Sequence, residues 1–437
     1  MMSHVGSQPV NVSAPATRWG ARLWPRAARL ARPAAALADQ TVLSATGFAV
    51  GIVLARSGDE RELGMYGLGM SLVAGLYAVQ GALIATPLAL LRQRRTRHSA
   101  AAGGTAALLQ LTLITAAATA MAIAAGVSPG EWGPVMLATA VASAFLLGRD
   151  FVRRLAYAHL RVRAALAVDV PSAVLQLSLV LALAAAGRLT AVTALLALGA
   201  GAAAGVVIGL VRMRPLMAWP GGRWAVIARE HWRCGRWIAA AQGLAAANAH
   251  GLLWLVAWLT DAASAGAMAA CLWIVMLTNP FVYGLGSLLT PRTAEALACE
   301  GPRGLGRVVR RATWVLAGAT GGFALLLTVA GGAILGGLYG EAYAAHGATA
   351  AVLAWGVAIG AAAAPINDGL RAMGRPDAEL GATAADSAFT FGLGAVGLAY
   401  GGLMGLAWAT VAGAAAAAGW QAWLYRRELR RQEEAWR

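Results

Sequence analysis

The sequence contains no lysine: all 35 basic residues are arginine, set against 19 acidic residues. Charge of either sign is scarce, at 12% of 437 residues, where an ordinary soluble domain carries about a quarter. Together with 59% hydrophobic residues and a mean hydropathy of +0.63, this scarcity excludes soluble enzyme folds. Cysteine is nearly missing too. Cys234, Cys271 and Cys299 are scattered without C-x-x-C spacing, which excludes a disulfide framework and a zinc site. There is no H-E-x-x-H, no P-loop and no G-x-S-x-G, and no carboxylate pair sits in a sizeable loop, so no catalytic centre, cofactor or metal is expected. Lacking a nucleotide motif, any transport would run on a substrate gradient or an ion. The arginines lie between apolar runs, which argues for orientation in a bilayer and against nucleic acid.

What the sequence has in abundance is long apolar runs. Twelve segments, at 37–55, 65–91, 100–126, 134–155, 168–187, 190–211, 237–259, 262–290, 312–338, 349–370, 379–400 and 403–425, are each long enough to cross about 30 Å of hydrocarbon. Two pairs are tight, around Gly187 and Gly401. All the arginines except Arg56, Arg61 and Arg188 fall in the two tails or in the connections that follow an even-numbered segment. Arginine marks cytoplasmic loops, so an even number of helices with both ends inside follows. The expected fold is an all-α polytopic membrane protein of about twelve transmembrane helices in two six-helix lobes, with N- and C-termini cytoplasmic. Its parts are a basic tail at 1–36, a lobe at 37–211, an amphipathic connector at 212–236, a lobe at 237–425 and a tail at 426–437. The first tail has no apolar core of a signal peptide, so none is expected to be cleaved. Arg18, Arg22, Arg26 and Arg29 recur at helical spacing there, which suits either a helix flat on the lipid or a disordered basic tail.

Landmarks recur at a near-constant offset. Gly64-Met65-Tyr66 and Thr86-Pro87 flank the second segment, while Gly266, Met268 and Thr290-Pro291 flank the eighth, 202 to 204 residues later. Six helices return the chain to its starting side, so the halves are expected to be parallel repeats. The connector carries Pro220-Gly221-Gly222 and then Trp224, Ile227, Arg229, Trp232 and Arg233, the pattern of a surface helix joining two lobes.

Ionisable and amide groups within apolar runs cost a few kcal/mol each to insert, so each is a site candidate. Asp386 stands about seven residues into segment 11, with Ser387 adjacent and Thr390 one turn on; it suits a proton, a sodium ion or a polar substrate group, or an arginine partner from the other lobe. Asn248 and His250 fall near the middle of segment 7, as a cavity lining or as interhelical hydrogen-bonding groups. Asp39 opens segment 1, where a plain helix-entry carboxylate is the competing account. Asn367 and Asp368 close segment 10 beside Arg371 and suit capping or local pairing. Asn279-Pro280 and Pro365 interrupt segments 8 and 10, so Pro280 and Pro365 are hinge candidates, although prolines also bend static bundles. Gly201, Gly205 and Gly209, and Gly397, Gly401 and Gly405, make close-packing faces. Arg92, Arg94, Arg149 and Arg153 sit at cytoplasmic mouths and suit a diphosphate head group, with orientation and anionic lipid as the alternative.

The stretch from Asp39 to Leu91 resembles the opening helices of the lipid-linked oligosaccharide flippases, the O-antigen and polysaccharide exporters of the multidrug/oligosaccharidyl-lipid/polysaccharide superfamily. The resemblance rests on Leu54-Ala55-Arg56, an acidic loop and Gly64-Met65-Tyr66, then on Asn279-Pro280, Leu289-Thr290-Pro291-Arg292 and Gly369 to Pro376. It implies two six-helix lobes around a cavity, alternating access, and flipping of a polyprenyl-diphosphate-linked glycan across a bacterial inner membrane, with polysaccharide-assembly proteins as candidate partners. Such exporters hold arginines deep in the cavity. None is expected in these helix interiors, which leaves Arg56 and the mouth arginines for the diphosphate. A cationic-drug antiporter coupled through Asp39 and Asp386 is the main alternative; a membrane glycan polymerase or a scaffold is a lesser one.

Overall fold

The computed structural model describes residues 26–89, 99–128, 130–159, 161–219, 221, 224–375 and 377–436. Among them the chain is helical almost throughout, with no strand. The first half runs α1 (Arg26–Ser57), α2 (Glu60–Gln80, extended by a π turn at Gly81–Ala85), α3 (Ser99–Val127), α4 (Trp132–Ala158), α5 (Val162–Ala185) and α6 (Ala191–Met213). The second half opens with α7 (Trp224–Leu259). α8 begins as Ala262–Val275 and continues past a 3-10 turn at Met276–Thr278 to residue 300. Then follow α9 (302–339), α10 (Gly347–Ala372), α11 (377–401) and α12 (403–436).

Nine stretches among the described residues are long and apolar enough to cross a membrane. Two of these, Ala262–Tyr339 and Asp377–Glu434, are each broken by one glycine of left-handed φ, Gly301 (φ 67°) and Gly402 (φ 57°), so each holds two helices. α7, which grows out of the connector, completes twelve. The chain is therefore an all-α, multi-pass membrane protein.

Local chemistry sets the boundaries. Gly187, at φ 64°, ends α5 in a Schellman turn, with Arg188 N–H on the Leu183 carbonyl at 2.9 Å and Gly187 N–H on Ala184 at 3.0 Å. Thr190 then caps α6 in a reciprocal box with Thr193. Asp59 and Asp261 cap α2 and α8 at equivalent places, each accepting the backbone N–H three residues on. Several ends differ from the hydropathy reading, among them the starts of α1 at Arg26 and α5 at Val162 and the end of α8 at residue 300. α7 starts at Trp224 and not at 237, because nothing in 224–237 breaks a helix and Gly235 lets it lie against the Ala82 carbonyl, so connector and seventh span are one rod. At 36 residues it is about 54 Å long, more than a bilayer core needs. α9 starts at Pro302, a residue suited to the first helical turn, and α12 runs on through the charged tail.

The buried residues fall into three clusters whose arrangement defines the shape. One joins both halves around the Arg-poor ends of the helices, with Leu54, Leu63 and Leu68 against Met268, Leu335 and Tyr339. At the Arg-rich ends the cores are separate, although α7 lies against Ala82 and Leu83 of the first half: Ile84, Leu88, Phe151 and Met213 form a core of the first half alone, and Leu305, Val309, Leu370 and Leu424 one of the second. The aromatic contacts between halves, Phe48–Tyr339, Tyr66–Trp273 and Trp132–Trp254 at ring distances of 6.2, 5.9 and 6.2 Å, belong to the shared end.

Glycine faces make the tight crossings. A Cβ on Gly201 would lie 2.7 Å from the Ser172 carbonyl, and one on Gly205 2.3 Å from Ser172 Oγ. Valine at 205 is thus expected to cost about 1–3 kcal/mol by overpacking. It should lower the midpoint of thermal unfolding in detergent by a few degrees, whereas valine at Gly126, which faces open space, should leave it unchanged.

Candidate functional site

Two polar groupings lie inside the apolar helices. The first binds α1, α4 and α5 together. Arg149, Asp150, Arg153, Arg154 and Tyr157 share a flank of α4 because their spacing follows the helical repeat. Arg153 is the hub: its Nη2 donates to Asp150 at 2.9 Å, its Nη1 stands 3.5 Å from Asp39 Oδ2, and its Nε stands 3.8 Å from Asp169 Oδ2. Arg149 reaches the other Asp169 oxygen at 3.7 Å, and Tyr157 O–H donates to Asp39 at 2.6 Å. Arg154 pairs with Asp150 and keeps 38% of its side chain exposed. Three carboxylates meet three guanidiniums, so the group is neutral. Neutrality is what permits it: Asp39 and Asp169 are completely buried, a position an unpaired charge could not hold.

The second grouping joins α7, α11 and α12. Asn248 Nδ2 donates to Asp386 Oδ2 at 2.5 Å, and Thr390 Oγ1 donates to Oδ1 at 3.4 Å. Gly413 of α12 closes the third side; a Cβ there would stand 2.6 Å from Asp386 Oδ1. Asp386 thus rests on neutral donors, and no arginine of the other half reaches it among the described residues. Gln242 of α7 and Arg154 of α4 both approach Gly81 in the π turn of α2, 3.4 and 3.7 Å from where its Cβ would be. The π turn widens the helix there, a distortion frequent at functional sites.

The structure pairs Asn248 with Asp386 but leaves His250 out. Two residues on a helix point about 200° apart, so Asn248 and His250 do not line one face. Asp39 belongs to the first cluster and not to a simple helix entry, and Arg149 and Arg153 stand within a helix, packed on carboxylates, where none was expected. Arg56 lies at the opposite, Arg-poor end, donating to the backbone carbonyls of Leu338 (2.9 Å) and Gly337 that close α9. Asp368 is paired locally, with Thr290 Oγ1 at 3.1 Å and Arg371 at 3.6 Å, while Asn367 is half-buried beside it. Pro280 follows the 3-10 turn that interrupts α8, whereas α10 runs through Pro365 as one helix; Asn279 is half-buried at the first turn after the break. Arg92 and Arg94, and most of residues 18–31, lie outside the described residues.

Asp150 and Asp169 were missed. Hydropathy began the fifth span at 168 and so placed Asp169 at its edge; the helix starts at Val162, two turns earlier. Asp150 falls inside segment 134–155 but among arginines assigned to a cytoplasmic mouth, so its carboxylate was passed over. The available signal was the i, i+3 and i, i+4 spacing of Asp150 with Arg153 and Arg154.

The backbone is similar to that of an inward-facing multidrug resistance MATE family transporter of the MOP superfamily, with a TM-score of 0.77 over 90% of this chain and 96% of that one, at 14% identity. It is also similar to the lipid II flippase MurJ in an inward closed conformation, with a TM-score of 0.68 over 92% and 89% of the chains at 10% identity. The chain has the fold of the MOP-superfamily transporters. A third match is a MOP-superfamily transporter from Pyrococcus furiosus described as having a binding pocket of reverse polarity, with a TM-score of 0.62 over 92% and 96% at 14% identity. No family model and no curated protein sequence matches the chain.

Within this MOP fold the cluster around Arg153 predicts unequal costs. Arg153→Met strips the partner from buried carboxylates and is expected to destabilise by about 3 kcal/mol or more. Arg154→Met, removing a part-exposed pair, should cost about 1 kcal/mol or less. Denaturant unfolding of the two purified variants in detergent checks the order.

Proposed function

We propose that the chain is an alternating-access transporter, open at its Arg-rich side, that flips a polyprenyl-diphosphate-linked oligosaccharide from the inner to the outer leaflet of a bacterial inner membrane for surface polysaccharide synthesis. The observation that carries the transport mechanism is the pattern of cores, shared by both halves at the Arg-poor end and separate at the Arg-rich end. Two lobes so joined leave a cleft between them, and a rocking motion that closes the cleft while parting the joint exchanges one opening for the other. By the excess of arginine the open side is the cytoplasmic one, where a lipid-linked glycan is made.

The cargo is read from what faces the cleft. Arg154 is the arginine of the cluster with a substantially exposed side chain, and it stands beside Gln242 of the other half. A guanidinium pairs with phosphate oxygens bidentately, and an amide serves a sugar hydroxyl or a further phosphate oxygen. Arg149 and Arg153 support it from behind, held on Asp39, Asp150 and Asp169, so their charge stays in place without needing cargo. Likeness to a lipid II flippase and to multidrug transporters is compatible with either an amphiphilic anion or a drug. One observation favours a second reading, ion-coupled antiport of a cation: Asp386 is a carboxylate whose hydrogen bonds come from the neutral donors Asn248 and Thr390. Asp39, by contrast, is committed to Arg153 and Tyr157 and is a poor coupling group.

The test is the sidedness of lipid-linked glycan in a deletion strain. Glycan held on the inner leaflet, restored by the wild-type chain and restored about tenfold or more less efficiently by Arg154→Gln, is the expected result, since one charge-assisted hydrogen bond contributes about 1.5–3 kcal/mol. Normal surface glycan in the deletion strain, with cation efflux that depends on Asp386, would establish the antiport reading in its place.

A further inference from the structure

The first turns of α2 and α8 meet at the Arg-poor end with no side chain between them. A Cβ on Gly64 would lie 1.8 Å from the Ala262 carbonyl oxygen and 2.8 Å from the Gly266 nitrogen. A Cβ on Gly266 would lie 1.8 Å from the Glu60 carbonyl oxygen and 2.9 Å from the Gly64 nitrogen. The two contacts are copies of each other: residues 60 and 64 of the first half are equivalent to 262 and 266 of the second, 202 positions on in each case, and each glycine faces the carbonyl of the residue four positions before its counterpart. This reciprocity is what a twofold axis between parallel repeats produces, as at an isologous interface. One turn deeper, Gly67 lies over Ala269, where a Cβ would have 3.3 Å.

Longer side chains strap the same joint. Arg56 of the first half holds the closing carbonyls of α9, and Glu60 stands 3.8 Å from His346, in the turn between α9 and α10. Cys271 Sγ–H of α8 donates to the His346 carbonyl at 3.6 Å, tying that turn to α8. These straps are part-exposed and individually weak. The backbone approach is the larger element, because contact at that distance is available to glycine alone and brings many atoms of both helices within van der Waals range.

We infer that the Gly64–Gly266 crossing is the gate at the Arg-poor end, and that the absence of a side chain at these two positions sets how far the closed state is favoured. The inference deepens the alternating-access reading and rests on it. When the lobes rock, this joint must part for cargo to leave. A side chain at either position forces the two backbones apart by well over 1 Å, so it penalises the closed gate and leaves an open one untouched.

The experiment uses the full chain with its three cysteines replaced and a single reporter, Ala269→Cys, a completely buried position against Gly67. A membrane-impermeant maleimide is added to intact cells. Gly64→Val and Gly266→Val are each expected to raise the rate of labelling about tenfold or more, with loss of transport, while Gly75→Val, which meets open space, keeps the rate within about twofold. Unchanged labelling in both valine variants, present in the membrane at normal amounts, would overturn the gate. Should the valine variants fail to reach the membrane, Arg56→Gln/His346→Gln carries the test: labelling raised about two- to fivefold supports the gate and unchanged labelling overturns it. Labelling needs no cargo, so a gate that opens beside undisturbed glycan export would overturn the cargo alone.

Discussion

Two backbones in contact, α2 on α8 at Gly64 and Gly266, are the constraint from which the rest of the molecule is arranged. A crossing this close draws the Arg-poor ends of both halves into one core, and the aromatic pairs that bridge the halves gather there. Having met at one end, the two lobes diverge. Their Arg-rich ends complete separate cores, neither of which takes in Arg154, Gln242 or the Asn248–Asp386 pair. In a bilayer no hydrophobic force pulls helices together, so a joint made of glycine backbone, with its many short contacts, is a physically sufficient way to hold two apolar lobes.

Much of this was legible in the residues. Apolar run length located the helices, arginine asymmetry indicated an even count, and the 202-residue recurrence of Gly64 as Gly266 pointed to the repeat that the reciprocal contact realises. The same glycine logic read Gly201, Gly205 and Gly209 correctly as a packing face against α4 and α5. Hydropathy was weakest where a helix outlasts its apolar stretch. α7 and α12 carry charge at one end and continue regardless, because hydrogen bonding within a helix takes no account of where hydrocarbon stops.

The site was half legible, for a reason that separates its two parts. Asp386 and Asn248 stand alone in apolar surroundings, so each was conspicuous, although nothing in one dimension could pair residues 138 positions apart. Asp150 and Asp169 were inconspicuous because they neighbour arginines or a misplaced helix end. Charges that neutralise each other in space do so without leaving a hydrophobic run visibly broken, and the first half hides six of them.

The halves share a backbone joint and differ in charge chemistry. The first keeps a closed, neutral cluster in which every buried carboxylate already has a guanidinium, so it is stable without any ligand. The second keeps one carboxylate on neutral donors, whose charge is not internally balanced. The first half thus offers an anion the exposed part of Arg154 with its supporting charges fixed, whereas the second offers a cation or proton a counter-charge at Asp386. The two lobes have in common the backbone geometry that closes one joint, and they differ in their polar groups, a neutral cluster with one part-exposed guanidinium in the first and a carboxylate on neutral donors in the second. Under the proposed transport function an amphiphile is held by its charged end on one lobe while the other lobe moves, and that requires lobes alike in backbone and unlike in polar chemistry.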